Sequence, residues 1–178
     1  MKKQGLIAVL GIVLAAVIIV VCVVSQKNKF AAEESERSRA EQQATDYAAC
    51  DAANADARML RAAVNAAFVD MDVEGKHPEQ YVTGTLRFTG DEIKNASSDS
   101  MANSEAARMR ELFAYKLNVY APFAADYVNI VIQMNAQNDC EAVAVEVKEG
   151  TVFGAYPALP SEQQYANIDE ALNAALGK

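Results

Sequence analysis

The chain has 178 residues, of which 52% are apolar, and its charges are distributed unevenly. All 24 acidic residues follow residue 32, whereas four of the 16 basic residues bracket an apolar block near the start. The chain from residue 30 onward therefore carries 12 basic against 24 acidic residues. This balance excludes a nucleic-acid binder, which needs a basic face to neutralise phosphates, and the long periodic apolar patterns exclude a disordered chain.

The first element is an uncharged segment from Leu6 to Ser25, preceded by a short basic leader at residues 1–5. As a helix, its 20 residues are about 30 Å long, which is the thickness of a bilayer core. A cleaved secretory signal has a shorter apolar region of about 7–15 residues. We therefore expect a retained single-pass transmembrane helix in the cell membrane. The short amino tail favours a cytoplasmic N-terminus and an extracytoplasmic remainder, although the basic residues on the two sides nearly balance.

The predicted helix continues beyond the membrane, because no glycine or proline occurs between Gly11 and Gly75. Residues 33–45 are polar on every side, so residues 26–46 are predicted to form a polar helical stalk. An apolar stripe at alternating spacings of three and four follows: Cys50, Ala53, Ala57, Leu60, Val64 and Ala67. The stripe predicts docking on a domain formed by residues 47–178. A coiled coil is the alternative, but the stripe is mostly alanine and spans fewer than three heptads.

Gly75 and Pro78 end the long helix, and Tyr81–Phe88 is predicted to be a short strand. Residues 90–103 are rich in Ser, Asn and Asp and are predicted to form a loop. A second helix is expected from Ser104, which is a suitable N-cap. Its predicted buried face consists of Met109, Leu112, Phe113 and Leu117.

Alternation with a period of two then indicates strands at Val128–Met134, at residues 142–147 and from Thr151. Short turns at residues 135–139 and 148–150 connect them, which predicts an antiparallel meander with Tyr81–Phe88 as a possible fourth strand. The long helix is expected to cover one face of this sheet. A capping-box pattern at Ser161–Gln164 predicts a last helix, with Ile168, Leu172 and Leu176 on one face. The fold class is therefore α+β: a long N-terminal helix packed on a small antiparallel sheet of three or four strands, with extra short helices.

These parts, in this order, resemble the type IV pilin and pseudopilin family. A basic leader ending in glycine (residues 1–5) runs directly into an apolar helix, and residues 52–70 look like the second half of a pilin's long helix. Residues 143–157 look like the last hairpin of pilin-like proteins from Gram-positive bacteria. The resemblance implies a structural subunit of a type IV pilus or related secretion filament at the cell surface. It also implies contacts with like subunits through the transmembrane helix.

The resemblance further implies processing by a prepilin peptidase between Gly5 and Leu6, followed by handling by the pilus assembly machinery. Leu10 stands where family members usually carry a glutamate that meets the amino terminus of a neighbouring subunit. This departure keeps open a second hypothesis, in which the chain is a signal-anchored extracytoplasmic binding or sensor domain that forms no filaments.

The residues that could form chemical sites are few. Cys50 and Cys140 are candidates for a disulfide outside the cytoplasm, and two separate buried thiols are the alternative. Asp70, Asp72 and Glu74 resemble the start of a calcium loop, but Tyr81 occupies the position of the required bidentate glutamate. His77 is the only histidine and has no evident orienting partner for nucleophilic catalysis. We therefore expect no enzymatic activity, no cofactor and no metal beyond this weak calcium candidate.

Overall fold

The computed structural model describes the backbone of residues 2–148 and 150–178, and the side chains of residues 26, 27, 29–147 and 150–178. The chain divides into two compact units, residues 1–45 and 46–178. The first unit is helical, and its described side chains from residue 26 onward are exposed. Arg37 and Glu41 form an ion pair of 3.0 Å there. The predicted membrane segment at residues 6–25 lies outside the described side chains. No helix in the described part is long and apolar enough to cross a membrane.

The elements follow one another as a long helix, a four-stranded sheet with two inserted helices, and a terminal helix. The helices are α1 (Lys2–Val73), α2 (Gly90–Asn95), α3 (Glu105–Tyr120) and α4 (Ile168–Ala175). The strands are β1 (Thr85–Thr89), β2 (Asn129–Met134), β3 (Cys140–Lys148) and β4 (Val152–Tyr156). Short 3₁₀ turns occur at Pro78–Gln80 and Pro122–Asp126. The sheet is an antiparallel meander in the order β1-β2-β3-β4, which confirms the predicted α+β class.

One face of the sheet packs against the second part of α1, as the stripe predicts. All six stripe residues are buried. Five of them belong to the main core together with Ile130 and Ile132 of β2 and Val143 and Val145 of β3. The period-two alternation places these four side chains on the same face of the sheet. Helix α3 completes this layer with buried Leu112, Phe113 and Leu117.

The opposite face is also covered, which the sequence analysis did not predict. Val131 of β2, Ala142 and Ala144 of β3 and Phe153 of β4 form a second core with α4. Helix α4 contributes Ile168, Ala171 and Leu172. The small alanines of β3 allow a short helix to approach the sheet closely. The 46–178 unit therefore has three layers, with helices on both faces.

Three local predictions were wrong. The first strand begins at Thr85 rather than Tyr81, because Gly84 adopts a left-handed φ of 66° that interrupts an extended chain. Residues 90–95 form α2 rather than a loop, because Thr89 and Glu92 build a capping box. The capping box predicted at Ser161–Gln164 does not begin a helix. Helix α4 begins at Ile168, where the side chain of Asn167 accepts the Glu170 N–H.

Candidate functional site

The attachment of α1 to the sheet is the most elaborately built polar feature of the 46–178 unit. Asn54 lies inside the apolar stripe and is buried. Its Oδ1 accepts the N–H groups of Ala155, at 2.8 Å, and of Leu159, at 3.2 Å. Its Nδ2 donates to the Leu159 carbonyl at 2.9 Å. Because β4 is an edge strand, this side chain satisfies backbone groups that would otherwise be unpaired within the protein.

A second set of contacts fixes the same helix at the start of β3. Arg61 Nε donates to the Cys140 carbonyl at 2.9 Å, and Asn65 Oδ1 accepts the Cys140 N–H at 2.9 Å. The Arg61 guanidinium also lies over the ring of Tyr156, 4.8 Å from its centroid. We call Asn54, Arg61 and Asn65, with the backbone groups they bind, the helix–sheet seam. Together they determine which turn of α1 meets which strand.

Tyr127 adds a further tie to α1 from the segment before β2. Its hydroxyl donates to Asp56 Oδ2 at 2.5 Å. Burial raises the pKa of the Tyr127 phenol above its usual range, and the Asp56 carboxylate that accepts its proton raises that pKa further. The phenol therefore remains a hydrogen-bond donor at any physiological pH.

Of the two alternatives for Cys50 and Cys140, the structure has the separate buried thiols rather than the disulfide. Cys50 and Cys140 are both buried free thiols. The backbone N–H of Cys140 donates a hydrogen bond to the Asn65 side chain. Asn65 is fifteen residues beyond Cys50 on α1, so these two residues are separated by about 22 Å along the helix axis. A disulfide requires Cα atoms about 4.4–6.8 Å apart. Burial raises the pKa of the Cys140 thiol to about 12 and also raises that of Cys50.

The three carboxylates of the weak calcium candidate do not form one site. Lys116 Nζ forms ion pairs with two of them, with Asp70 Oδ2 at 2.7 Å and with Glu74 Oε1 at 2.5 Å. Two members of the weak calcium candidate are therefore ion-paired with an ammonium group that α3 brings between them. Asp72 lies instead near His77 and Glu79. The predicted processing site at Gly5 and Leu6, and Leu10 with it, lies outside the described side chains.

A cleft lies between β1, α2 and α3, around Phe88 and Arg110. Three adjoining cavities of about 300, 240 and 350 Å³ all include these two residues in their walls. The Arg110 guanidinium lies 4.6 Å from the centroid of the Phe88 ring and donates to the Arg87 carbonyl. Glu92 of α2 and Glu111 of α3 also line the cavity of about 300 Å³. The cleft thus combines an apolar floor with charged groups of both signs.

Sequence reasoning missed the seam and the cleft for different reasons. Asn54 shares a helix face with Cys50 and Ala57, so a polar residue within an apolar stripe could have been recognised as a buried hydrogen-bonding group. Arg110 and Phe88 carry no such signal, because they come from a helix and a strand that meet only in the folded protein. Comparison with protein-family models, curated proteins and solved structures found no match for this chain.

Proposed function

We propose that this chain is a structural subunit, pilin-like or pseudopilin-like, that is anchored in the cell membrane by residues 6–25. The carrying observation is that α1, which extends from Lys2 to Val73, is hydrogen-bonded to the edge strand β4 through Asn54 and to the start of β3 through Arg61 and Asn65. A helix that anchors at one end and supports a folded domain at the other suits a subunit that assembles through its helix.

The seam supports this role on energetic grounds. Alanine-rich helix packing buries little area per residue, so it resists sliding less than a stripe of large side chains would. Directional hydrogen bonds, in which Asn54 and Asn65 accept backbone N–H groups of β4 and β3, add a fixed register. In the proposed filament, load on the anchored helix would pass into the sheet through these bonds.

The proposed arrangement has the N-terminus in the cytoplasm and the 46–178 unit outside, with prepilin-peptidase processing between Gly5 and Leu6. Like subunits would meet through the transmembrane helix. No nucleic acid, cofactor or enzymatic step enters the proposal. Because position 10 is Leu10 rather than a glutamate, the subunits would associate in the membrane through side-by-side packing of their apolar helices alone.

The intact mass of the protein from membranes of its native host tests this function. Loss of Met1–Gly5, with or without N-methylation of Leu6, is the expected result. A Gly5→Leu variant is the matched control and should retain the leader. An intact start in the wild-type protein, or loss of Met1 alone, would overturn processing as proposed.

The second candidate is an anchored extracytoplasmic binding or sensor domain. Two observations favour it: Leu10 replaces the usual glutamate, and the cleft around Phe88 and Arg110 has the volume of a small-ligand site. This candidate predicts an unprocessed N-terminus and a monomer or small oligomer in detergent, whereas the first predicts filaments.

A further inference from the structure

The turn after α1 brings together one imidazole and two carboxylates, those of Asp72, His77 and Glu79. One ligand atom from each residue lies within 4.8 Å of the other two. His77 Nδ1 is 3.4 Å from Glu79 Oε1. Two ligands of a tetrahedral ion with bonds of about 2.1 Å are separated by about 3.4 Å. The Asp72 side chain is exposed and belongs to the same group of ligand atoms, all within 4.8 Å of one another.

The charge around the end of α1 independently favours a cation. The last turn of α1 contains no basic residue, although the carbonyl groups at a helix C-terminus attract positive charge. Lys116 compensates Asp70 and Glu74 from α3. Asp72 has no ion-pair partner among the residues that the structure describes, so one carboxylate at this helix end remains uncompensated.

We propose that Asp72, His77 and Glu79 bind one divalent transition-metal ion, with Zn²⁺ as the best match. An imidazole nitrogen combined with carboxylate oxygens is a common ligand set for Zn²⁺. Ca²⁺ and Mg²⁺ take oxygen ligands and gain nothing from His77. Three protein ligands leave a coordination position for water, so the ion exchanges with solvent. Its binding ties the end of α1 to the turn that leads into β1.

The test uses the full chain, produced without a histidine tag and held in detergent micelles. Co²⁺ titration followed by visible absorption and Zn²⁺ titration followed by calorimetry should each give one ion per chain. Because His77 is the only histidine, its ring-proton resonances should shift as Zn²⁺ is added. Ca²⁺ at the same concentration should leave them unchanged.

The variants His77→Gln and Glu79→Gln should each weaken Zn²⁺ binding about tenfold or more, because each removes one ligand. Glu162→Gln is the matched control, since it removes an exposed carboxylate elsewhere in the chain. Absence of Zn²⁺ binding to the wild type would overturn the proposal. Equal binding by wild type and His77→Gln would overturn it as well. Neither result depends on leader processing or on filament formation.

Discussion

Gly154 of β4 lies against Ala53 of α1 with no room for a side chain between them. A Cβ added at Gly154 would stand 2.6 Å from the Asn54 backbone nitrogen and closer still to Ala53. These obstacles include backbone atoms, so rotation of a side chain cannot relieve the overlap. The close approach is what lets Asn54 reach Ala155 and Leu159.

Gly154→Ala should therefore destabilise the domain by about 3 kcal/mol, at the upper end of the usual cost of overpacking. Gly177→Ala is the matched control. Its φ of 69° costs a side chain about 1–2 kcal/mol, but nothing lies within 4 Å of its added Cβ. Denaturant unfolding of both variants measures the difference, and equal losses would contradict the close packing of α1 on β4.

Asn54→Ala should lower the free energy of unfolding by about 3 kcal/mol, because two backbone N–H groups and one carbonyl lose their partner. Asn103→Ala, at an exposed position, should change it by less than about 0.5 kcal/mol. Asn54→Asp keeps the acceptor but loses the donor to the Leu159 carbonyl. Its stability should fall further as the pH rises and the buried carboxyl ionises. Thermal unfolding across a pH series measures this trend, and a pH-independent Asn54→Asp variant would contradict it.

Acid should weaken the tie between α1 and α3. Hydrogen bonds from Lys116 and from the Tyr120 hydroxyl hold the pKa of Asp70 below its usual 3.8. The unfolded chain therefore binds the proton more readily than the folded one, so this contribution is present above the usual pKa and is lost as the pH falls through the lower folded pKa.

Lys116→Met should consequently show a shallower loss of stability below about pH 4 than the wild type. Lys94→Met is the control, because Lys94 is an exposed lysine on α2 and should leave the acid slope unchanged. The midpoints of urea unfolding, measured at several pH values for both variants and the wild type, give the three acid slopes to be compared. Parallel acid slopes for Lys116→Met and the wild type would contradict the role of Asp70.

The thiols of Cys50 and Cys140 should resist labelling in the folded protein. Burial keeps the Cys140 thiol protonated, with a pKa of about 12, and thiolate is the reactive form. In a Cys22→Ala background, a thiol reagent at about pH 8 should modify neither cysteine until denaturant is added. Ser161→Cys, at a partly exposed position, is the control and should react at once. If the denatured protein did not react with the thiol reagent until it had been reduced, and then showed two thiols, the free-thiol state of Cys50 and Cys140 would be contradicted.

The same raised pKa gives a stability prediction at alkaline pH. The folded thiol of Cys140 ionises above its ordinary value of 9.0, so its contribution is complete below that value and is lost as the pH rises toward the folded pKa. Cys140→Ala should remove this part of the alkaline dependence, as measured by thermal unfolding between about pH 8 and 11. An unchanged alkaline slope would contradict the buried thiol.

The sequence by itself determined the elements that depend on local periodicity. The stripe from Cys50 to Ala67 identified the buried face of α1, since helical spacing alone decides which side chains share a face. The alternation in β2 and β3 identified strands and their inward residues for the same reason. Ser104 was correctly predicted as the N-cap of α3, because the capping oxygen and its N–H partner are neighbours in the chain.

Only the tertiary structure decided the contacts between elements that are distant in sequence. Lys116 of α3 forms ion pairs with Asp70 and Glu74 at the end of α1, because α3 packs beside that end. The start of β3 meets α1 at Asn65, to which the Cys140 N–H donates, and not at Cys50. The position of β3 along the helix decides which of these contacts forms. The apolar face predicted for the last helix did not reveal which surface it would cover, and only the folded chain places α4 over the second sheet face. Long-range packing chooses among many locally acceptable arrangements, and local propensity does not distinguish them.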